Sequence, residues 1–312
     1  MQRRTRFALA ASILLTLALE SSANPANPAG YLGAYVLQNP GGNGFGGFSA
    51  IEISEDGARF TAISDHGSWL QGTIDRGADG RIAKVATTHT QPLRSEKITP
   101  LRRDRSDSEG LAIAQDGTIY ISFEGVPRVL RYKTIDGTAE NLPTPKEFSK
   151  FPINAALESL AIDAQGVLYT MPEEVPGSKR VRILTGQPGN PNGADFPVWR
   201  FANGAWTQPF TLTRRGSYLP VGSDFGPDGR FYLLERDFHG IAGFSSRVRS
   251  FRVTAKGFTD EKIHLESHAG LHDNLEGISV WRDAKGKIRL TMIADNNFMP
   301  FQRSELVEYQ LP

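Results

Sequence analysis

The sequence predicts an all-β chain wound into a single β-propeller of five or six blades, each an antiparallel four-stranded sheet. Three observations predict it. Strand-like runs rich in β-branched residues meet across tight turns at five places, with turn glycines at 57, 117, 166, 229 and 286. A hairpin repeated at long period, in a chain without an extended helical pattern, is what radial blades leave in a sequence. Carboxylates recur at the open ends of these hairpins, as in Glu109 to Glu124 around Asp116-Gly117. A hairpin brings its two ends to one sheet edge, and Gly supplies the positive φ its turn requires.

The elements follow in chain order. Residues 1–23 read as an export leader: basic Arg3, Arg4 and Arg6, the apolar run Phe7 to Leu19, and a small-residue site at Ser21-Ser22-Ala23. The run is short for a bilayer span, so cleavage after Ala23 and a periplasmic or secreted protein are expected, with no stable membrane insertion afterwards. Removal of the leader takes away three Arg and one Glu and leaves a net charge of −1. Residues 24–47 are a lead-in, in which Tyr31 to Gln38 forms a strand expected to close the ring against Glu305 to Leu311. Gly42 to Gly47 fits G-x-G-x-x-G in form, but a strand-like run follows it where a dinucleotide site needs a helix.

Residues 48–312 form the propeller domain. Its hairpins run from Ser49 to Asp65, Glu109 to Glu124, Glu158 to Glu173, Val221 to Glu235 and Glu276 to Asp295. Pro143 to Phe151 reads as a polar crossing between blades, and Gly186 to Pro197 as a surface loop. A further hairpin, Val198 to Leu212 around Asn203-Gly204, is the place where a degenerate sixth blade is expected.

At 312 residues the chain can bury a large core. Its 39% hydrophobic and 22% charged residues are those of a globular protein. A formal charge of +1 argues against nucleic acid as the main partner, and a monomer is expected. With no cysteine, neither a lipidated N-terminus nor disulfides are available.

The chemistry lies at the hairpin ends. Glu109, Glu158 and Glu276 open hairpins; Asp65, Glu124, Glu173, Glu235 and Asp295 close them; Asp224 lies within a first strand. Radial blades would gather these acids on one face, where they repel one another unless cations neutralise them. All-oxygen donors suit a hard divalent cation, Ca²⁺ before others. Arg103, Arg105, Arg236 and Arg247, with Asn296, would hold an anionic ester, because guanidinium binds phosphate bidentately. Glu109 or Glu276 would serve as general base, each followed by a Gly that lets a cation approach, and His66 as proton carrier. His264, His268 and His272 are spaced four apart, but Gly270 speaks against the helix a zinc site would need. No G-x-S-x-G and no H-E-x-x-H occurs.

Several of these segments resemble one family. Val221 to Phe238, with Asp228-Gly229-Arg230 running into Leu234-Glu235-Arg236-Asp237-Phe238, is similar to a hallmark of the phytase-like family named for esterase-like activity of phytase. Asn274-Leu275-Glu276-Gly277 with Ala294-Asp295-Asn296-Asn297-Phe298, and Ser106 to Leu111, resemble two more of its motifs. The likeness runs from about Phe48 to Leu311. It implies an exported propeller, leaning to six blades, with a phosphoesterase or esterase activity like that of calcium-dependent propeller phytases. The expected function is metal-dependent hydrolysis of a small anionic ester. The alternatives are a lactonase-type propeller and a non-catalytic ligand- or partner-binding propeller.

Overall fold

The hairpin turns set the architecture. Gly57, Gly117, Gly166, Gly229 and Gly286 all take left-handed φ, between 70° and 83°. Each donates its N–H to the carbonyl three residues back, on Ser54, Ala114, Asp163, Gly226 and Asp283. Asp side chains reinforce the turns: Asp116 Oδ1 accepts from the Thr118 N–H at 2.9 Å, and Asp56 Oδ1 from Ala58 at 3.0 Å.

In the computed structural model, which describes residues 27–41, 43–175 and 193–312, the hairpins become the inner halves of five antiparallel sheets. The leader, its cleavage site and most of the 186–197 loop lie outside the described residues. β1 (Tyr31–Val36) precedes the first complete blade. That blade is β2 (Phe48–Ile53), β3 (Arg59–Ser64), β4 (Ser68–Arg76) and β5 (Ile82–Thr87), with β6 (Gln91–Pro92) also pairing β4. The second is β7 (Ser108–Ile113), β8 (Ile119–Phe123), β9 (Arg128–Tyr132) and β10 (Ala139–Asn141). The third is β11 (Ser159–Ile162), β12 (Leu168–Met171), β13 (Phe196–Ala202) and β14 (Ala205–Leu212). The fourth is β15 (Leu219–Phe225), β16 (Phe231–Phe238), β17 (Phe244–Thr254) and β18 (Gly257–Glu266). The fifth is β19 (Asn274–Arg282), β20 (Ile288–Asp295) and β21 (Glu305–Gln310), completed by β1, which pairs β21 from Tyr31↔Tyr309 to Val36↔Glu305.

The ring therefore has five blades, closed as the sequence predicts by the N-terminal strand. The Val198–Leu212 hairpin is not a sixth blade: β13 pairs β12, Thr170 facing Trp199, and with β14 forms the outer half of blade three. The 143–151 crossing is less polar than expected. Its short 3₁₀ turn, Lys146–Lys150, buries Phe148 edge-on against Trp199, with ring centroids 5.1 Å apart. Apolar clusters fill the seams between blades. One joins Val221, Leu234 and Val248 of blade four to Leu275, Ile278 and Leu290 of blade five.

At the axis the inner strands meet backbone to backbone. A Cβ on Gly222 would lie 2.4 Å from the Glu276 carbonyl oxygen, and one on Gly277 2.7 Å from the Ala50 Cα. These glycines make room for the next blade, so the Gly after Glu276 serves blade contact and not the approach of a cation. Gly277→Ala and Gly222→Ala are expected to destabilise by about 1–3 kcal/mol, the usual cost of overpacking. Denaturant unfolding checks this, and wild-type midpoints for both variants would refute the backbone contact.

Candidate functional site

Antiparallel blades leave two kinds of connection on the mouth face: the turns from second to third strand and the links from one blade to the next. The acids collect there through register. Ala50, Gly222 and Gly277 pair with Ile63, Leu234 and Ile293, and Ser159 with Met171. Two residues past each partner stand Asp65, Arg236, Asp295 and Glu173. In blade two Glu124 holds the same place, since the Gly110 N–H donates to Ser122 Oγ at 2.9 Å. The first strands are irregular at this level, with shifts between Ser108 and Leu111 and between Leu275 and Gly277. Such bulges re-aim side chains, here Glu109 and Glu276.

Around the mouth one carboxylate oxygen each from Asp107, Glu109 and Glu124 lie within 4.8 Å of one another. Glu124 Oε1 accepts the Ala156 N–H at 2.9 Å. On the opposite side Arg236 donates to Asn274 Oδ1 at 2.8 Å, to Glu173 Oε1 at 3.1 Å and to Glu276 Oε1. Asn274 Nδ2 also donates to Glu276 Oε1, at 2.8 Å. Among the described residues no Lys or Arg forms an ion pair with Asp107, Glu109, Glu124 or Glu158, the nearest guanidinium pairs being those of Arg236. Beneath the ring the channel narrows to a cavity of about 10 Å³ lined by Glu109, Glu158 and Ser223. Access to the acids is therefore from the mouth.

Burial and mutual repulsion raise these carboxyls. Burial lifts Asp65 to about 7, with Glu276 and Asp107 adding to it. Burial likewise lifts Glu124 to about 8, and Asp295 to about 8 with help from Glu276. Burial and then Glu124 push Glu109 and Glu158 well above the usual carboxylate range. Glu276 is raised by burial against the pull of Arg236. Burial works against the charge on Arg236, yet Glu276 and Glu173 hold it firmly protonated. Two carboxylates 4.8 Å apart repel by about 3 kcal/mol at an effective dielectric near 20. The donor set is hard, anionic and all oxygen, and it fits a divalent cation of the Ca²⁺ kind.

The structure brings together Asp65, Glu109, Glu124, Glu158, Glu173, Glu276 and Asp295 as the sequence predicts, and it corrects the rest. Glu235 is not at the mouth. It falls one residue short of the ring register, points to the other face of its strand, and is fully buried between Arg247 and Arg249 at 2.8 and 2.6 Å. Arg247 is thereby committed to Glu235 and cannot serve as an anion clamp. Arg236 sits in the ring, but as an internal counter-charge. Asp224 lies at the far end of β15, at the opposite channel mouth beside Glu52, where its Oδ2 accepts the Val280 N–H at 2.6 Å. Asn296 Oδ1 accepts the Gly47 N–H at 2.9 Å and braces the glycine-rich lead-in. Arg103 and Arg105 stand exposed on a 3₁₀ turn at the rim. His66 stacks on Phe298 with centroids 4.1 Å apart, its Nε2 3.9 Å from Asp65 Oδ1. The spaced histidines form no zinc site: His264 bonds Ser250 Oγ at 2.7 Å and His272 bonds the Tyr309 hydroxyl at 2.6 Å. Sequence reasoning missed Asp107 and Asn274. Each lies two residues before an opening Glu, and that spacing was the available signal.

Fold and site define a five-bladed propeller with a carboxylate-lined mouth. The chain belongs to the phytase-like family described as "Esterase-like activity of phytase", whose match spans residues 43–298. No curated protein sequence matches it. Among solved structures it is similar to the α-L-arabinofuranosidase PaAbf62A from Podospora anserina, at 12% identity and TM-score 0.50, covering 92% of this chain and 99% of that one. It is also similar to the PQQ-bound aldose sugar dehydrogenase from Streptomyces coelicolor, at 12% identity and TM-score 0.45, covering 91% and 100%. A virginiamycin B lyase from Staphylococcus aureus matches at 12% identity and TM-score 0.40, covering 90% and 88%. These likenesses are of fold alone.

Two outcomes are expected. Glu235→Gln should cost about 3–5 kcal/mol, because it leaves two buried guanidinium groups short of their partner. Chemical denaturation measures this, and a neutral result would return Glu235 to the candidate ligands. The second concerns pH. The mouth acids ionise near pH 4 when unfolded and, for Asp65, Glu124 and Asp295, only near 7 to 8 in the fold. Between those values the fold binds more protons than the unfolded chain, so stability falls as pH rises. Calorimetry in EDTA should show the melting temperature dropping between about pH 5 and about pH 8. A flat or rising profile would sink the picture of uncompensated acids.

Proposed function

We propose that this protein is an exported, divalent-cation-dependent hydrolase of phosphate or other esters, acting at the acidic mouth. The reading is carried by the Asp107, Glu109 and Glu124 oxygens, buried or half-buried within 4.8 Å of one another, with no Lys or Arg ion-paired to them among the described residues. Membership in the phytase-like family supports the hydrolytic class. Asp107, Glu109 and Glu124 would hold the cation, with Ca²⁺ the first choice, and Glu158 and Asp65 lie close enough to add charge. When bound, such a cation supplies a positive charge for the ester oxygens and acidifies a water. The protein's own part lies across the ring. Arg236 and Asn274 both donate to Oε1 of Glu276, which fixes the carboxylate and leaves Oε2 to take a proton from the attacking water. His66, at the solvent edge beside Asp65, would pass that proton outward. Export rests on the leader in residues 1–23.

The test pairs binding with turnover. Ca²⁺ at about 100 times its dissociation constant should stabilise the fold by about 2.7 kcal/mol through mass action. Glu109→Gln and Glu124→Gln should each shrink the calcium-dependent rise in melting temperature and, with it, hydrolysis of p-nitrophenyl phosphate or acetate. Glu276→Gln should abolish hydrolysis while keeping most of the calcium response. Calcium binding without turnover of either ester or of phytate would make the mouth a binding site. A melting curve indifferent to both Ca²⁺ and EDTA would remove the cation from the reading.

A further inference from the structure

Nine large apolar side chains stand exposed among the described residues, and seven of them sit on the mouth face. Ile98 and Ile153 lie on links between blades; Val126, Ile241 and the run Phe298, Met299, Phe301 lie on turns from second to third strand. Ile98 is 60% exposed, Ile153 68% and Phe301 75%. The remaining two are Val36, at the end of β1, and Ile263, on the outer strand β18. The turns of the opposite face read otherwise. They are polar residue–Gly pairs: Asp56-Gly57, Asp79-Gly80, Asp116-Gly117, Asp136-Gly137, Gln165-Gly166, Asn203-Gly204, Asp228-Gly229, Lys256-Gly257 and Lys285-Gly286.

Backbone conformation sharpens the contrast. Ile98 holds φ at 63° and Phe298 at 52°. A β-branched residue with positive φ is an outlier, and strain of this kind gathers where a segment must meet a ligand. A tight turn keeps Ile98 in place, its N–H donating to the Ser95 carbonyl at 3.1 Å. The strained conformation holds an apolar side chain in water, where nothing in the fold rewards it.

The rim of the mouth face also carries an excess of exposed basic residues. On the links 88–107 and 142–158 the exposed basic residues are Lys97, Arg102, Arg103, Arg105, Lys146 and Lys150, against exposed Glu96, Asp104 and Glu147. The turns of the opposite face carry both signs, with Asp56, Asp116 and Asp228 beside Lys256, Lys285 and Lys287. The rim of the mouth face is thus basic and apolar around the acidic ring, and the opposite turns are polar and balanced in charge.

We propose that the mouth face docks on an anionic lipid surface. Ile98, Ile153, Ile241 and Phe301 enter the headgroup layer, and the basic links lie against the anionic lipids. A lipid surface fits better than a protein partner because the apolar residues are spread over five separate loops around the mouth. A protein interface gathers such residues into one packed core. The acidic ring at the centre of the face then opens toward the ester groups of amphiphiles. Docking goes beyond the hydrolytic reading, and binding tests it without turnover.

The chain has no cysteine, so one introduced thiol reports one place. Phe301→Cys in the full chain, carrying an environment-sensitive fluorophore, is titrated with vesicles of phosphatidylcholine alone or mixed equally with phosphatidylglycerol. The label should shift to the blue with the anionic vesicles and little with the neutral ones. The same label on Asp116→Cys, at the opposite face, should not move. In the labelled protein Ile98→Ser and Ile241→Ser should weaken the response. Lys97→Gln and Arg102→Gln should each lower vesicle affinity about fivefold at low salt. Three outcomes overturn the proposal: no shift at 301 with either vesicle, equal shifts at 301 and 116, or a shift that grows with protein concentration without lipid. The last would mean that a second copy of the chain covers this face.

Discussion

Five inner strands around one axis leave almost no central space, and the rest of the molecule answers to that crowding. The strands touch through Gly222, Gly277 and Ala50, where any larger residue would strike the neighbouring backbone. Strands packed so closely cannot also line a wide channel, so the axis closes beneath the mouth. Extra residues are forced out as bulges at the mouth end, and Glu109 and Glu276 stand at two of them. The site is therefore a consequence of closing the ring: tight contact below projects carboxylates above.

That projection creates an electrostatic debt. Asp65, Asp107, Glu109, Glu124, Glu158, Glu173, Glu276 and Asp295 share one internal cation, Arg236. A fold can meet such a debt by holding protons or by binding metal, and burial raises these carboxyls toward the first. Elsewhere the same protein balances buried charge with its own residues. Glu235 receives two guanidinium groups, and Glu308 receives Arg76 at 2.7 Å. The mouth departs from that balance, as do Glu52 and Asp224 at the opposite channel end, where burial raises both carboxyls.

What was legible in the sequence was what is local. Turn glycines, their Asp partners and the acids flanking each hairpin are set within some twenty residues, so the repeat and the ring of acids could be read directly. Blade number was not local. Whether Val198–Leu212 stands alone or joins Leu168–Met171 depends on pairing across a long intervening segment, which no local signal decides. The misplacement of Glu235 has a simpler cause. Strand side chains alternate, and a shift of one residue moves a group to the other face. Glu124 and Glu173 lie seven residues past their turn glycines, but Asp65 lies eight past Gly57 and Asp295 nine past Gly286, so the count from the turn does not fix which residue reaches the ring. Asp107 and Asn274 lie two residues ahead of the hairpin glutamates, where only the register at the bulge brings them to the mouth.

The asymmetry of the ring also orders its chemistry. Arg236 satisfies Glu173 and Glu276 from blade four, and Asn274 adds a neutral donor beside it. That half is nearly balanced and geometrically fixed, which suits a group that must orient a water and accept its proton. The half built by Asp107, Glu109 and Glu124 has no such support and carries the deficit. A cation therefore gains most on the side of blade two, directly below the link that bears Arg103 and Arg105. An anionic ester drawn to that rim would meet bound metal first and the fixed carboxylate of Glu276 across the mouth. The proposed cation ligands, Asp107, Glu109 and Glu124, and the proposed base, Glu276, thus stand on opposite walls of the mouth.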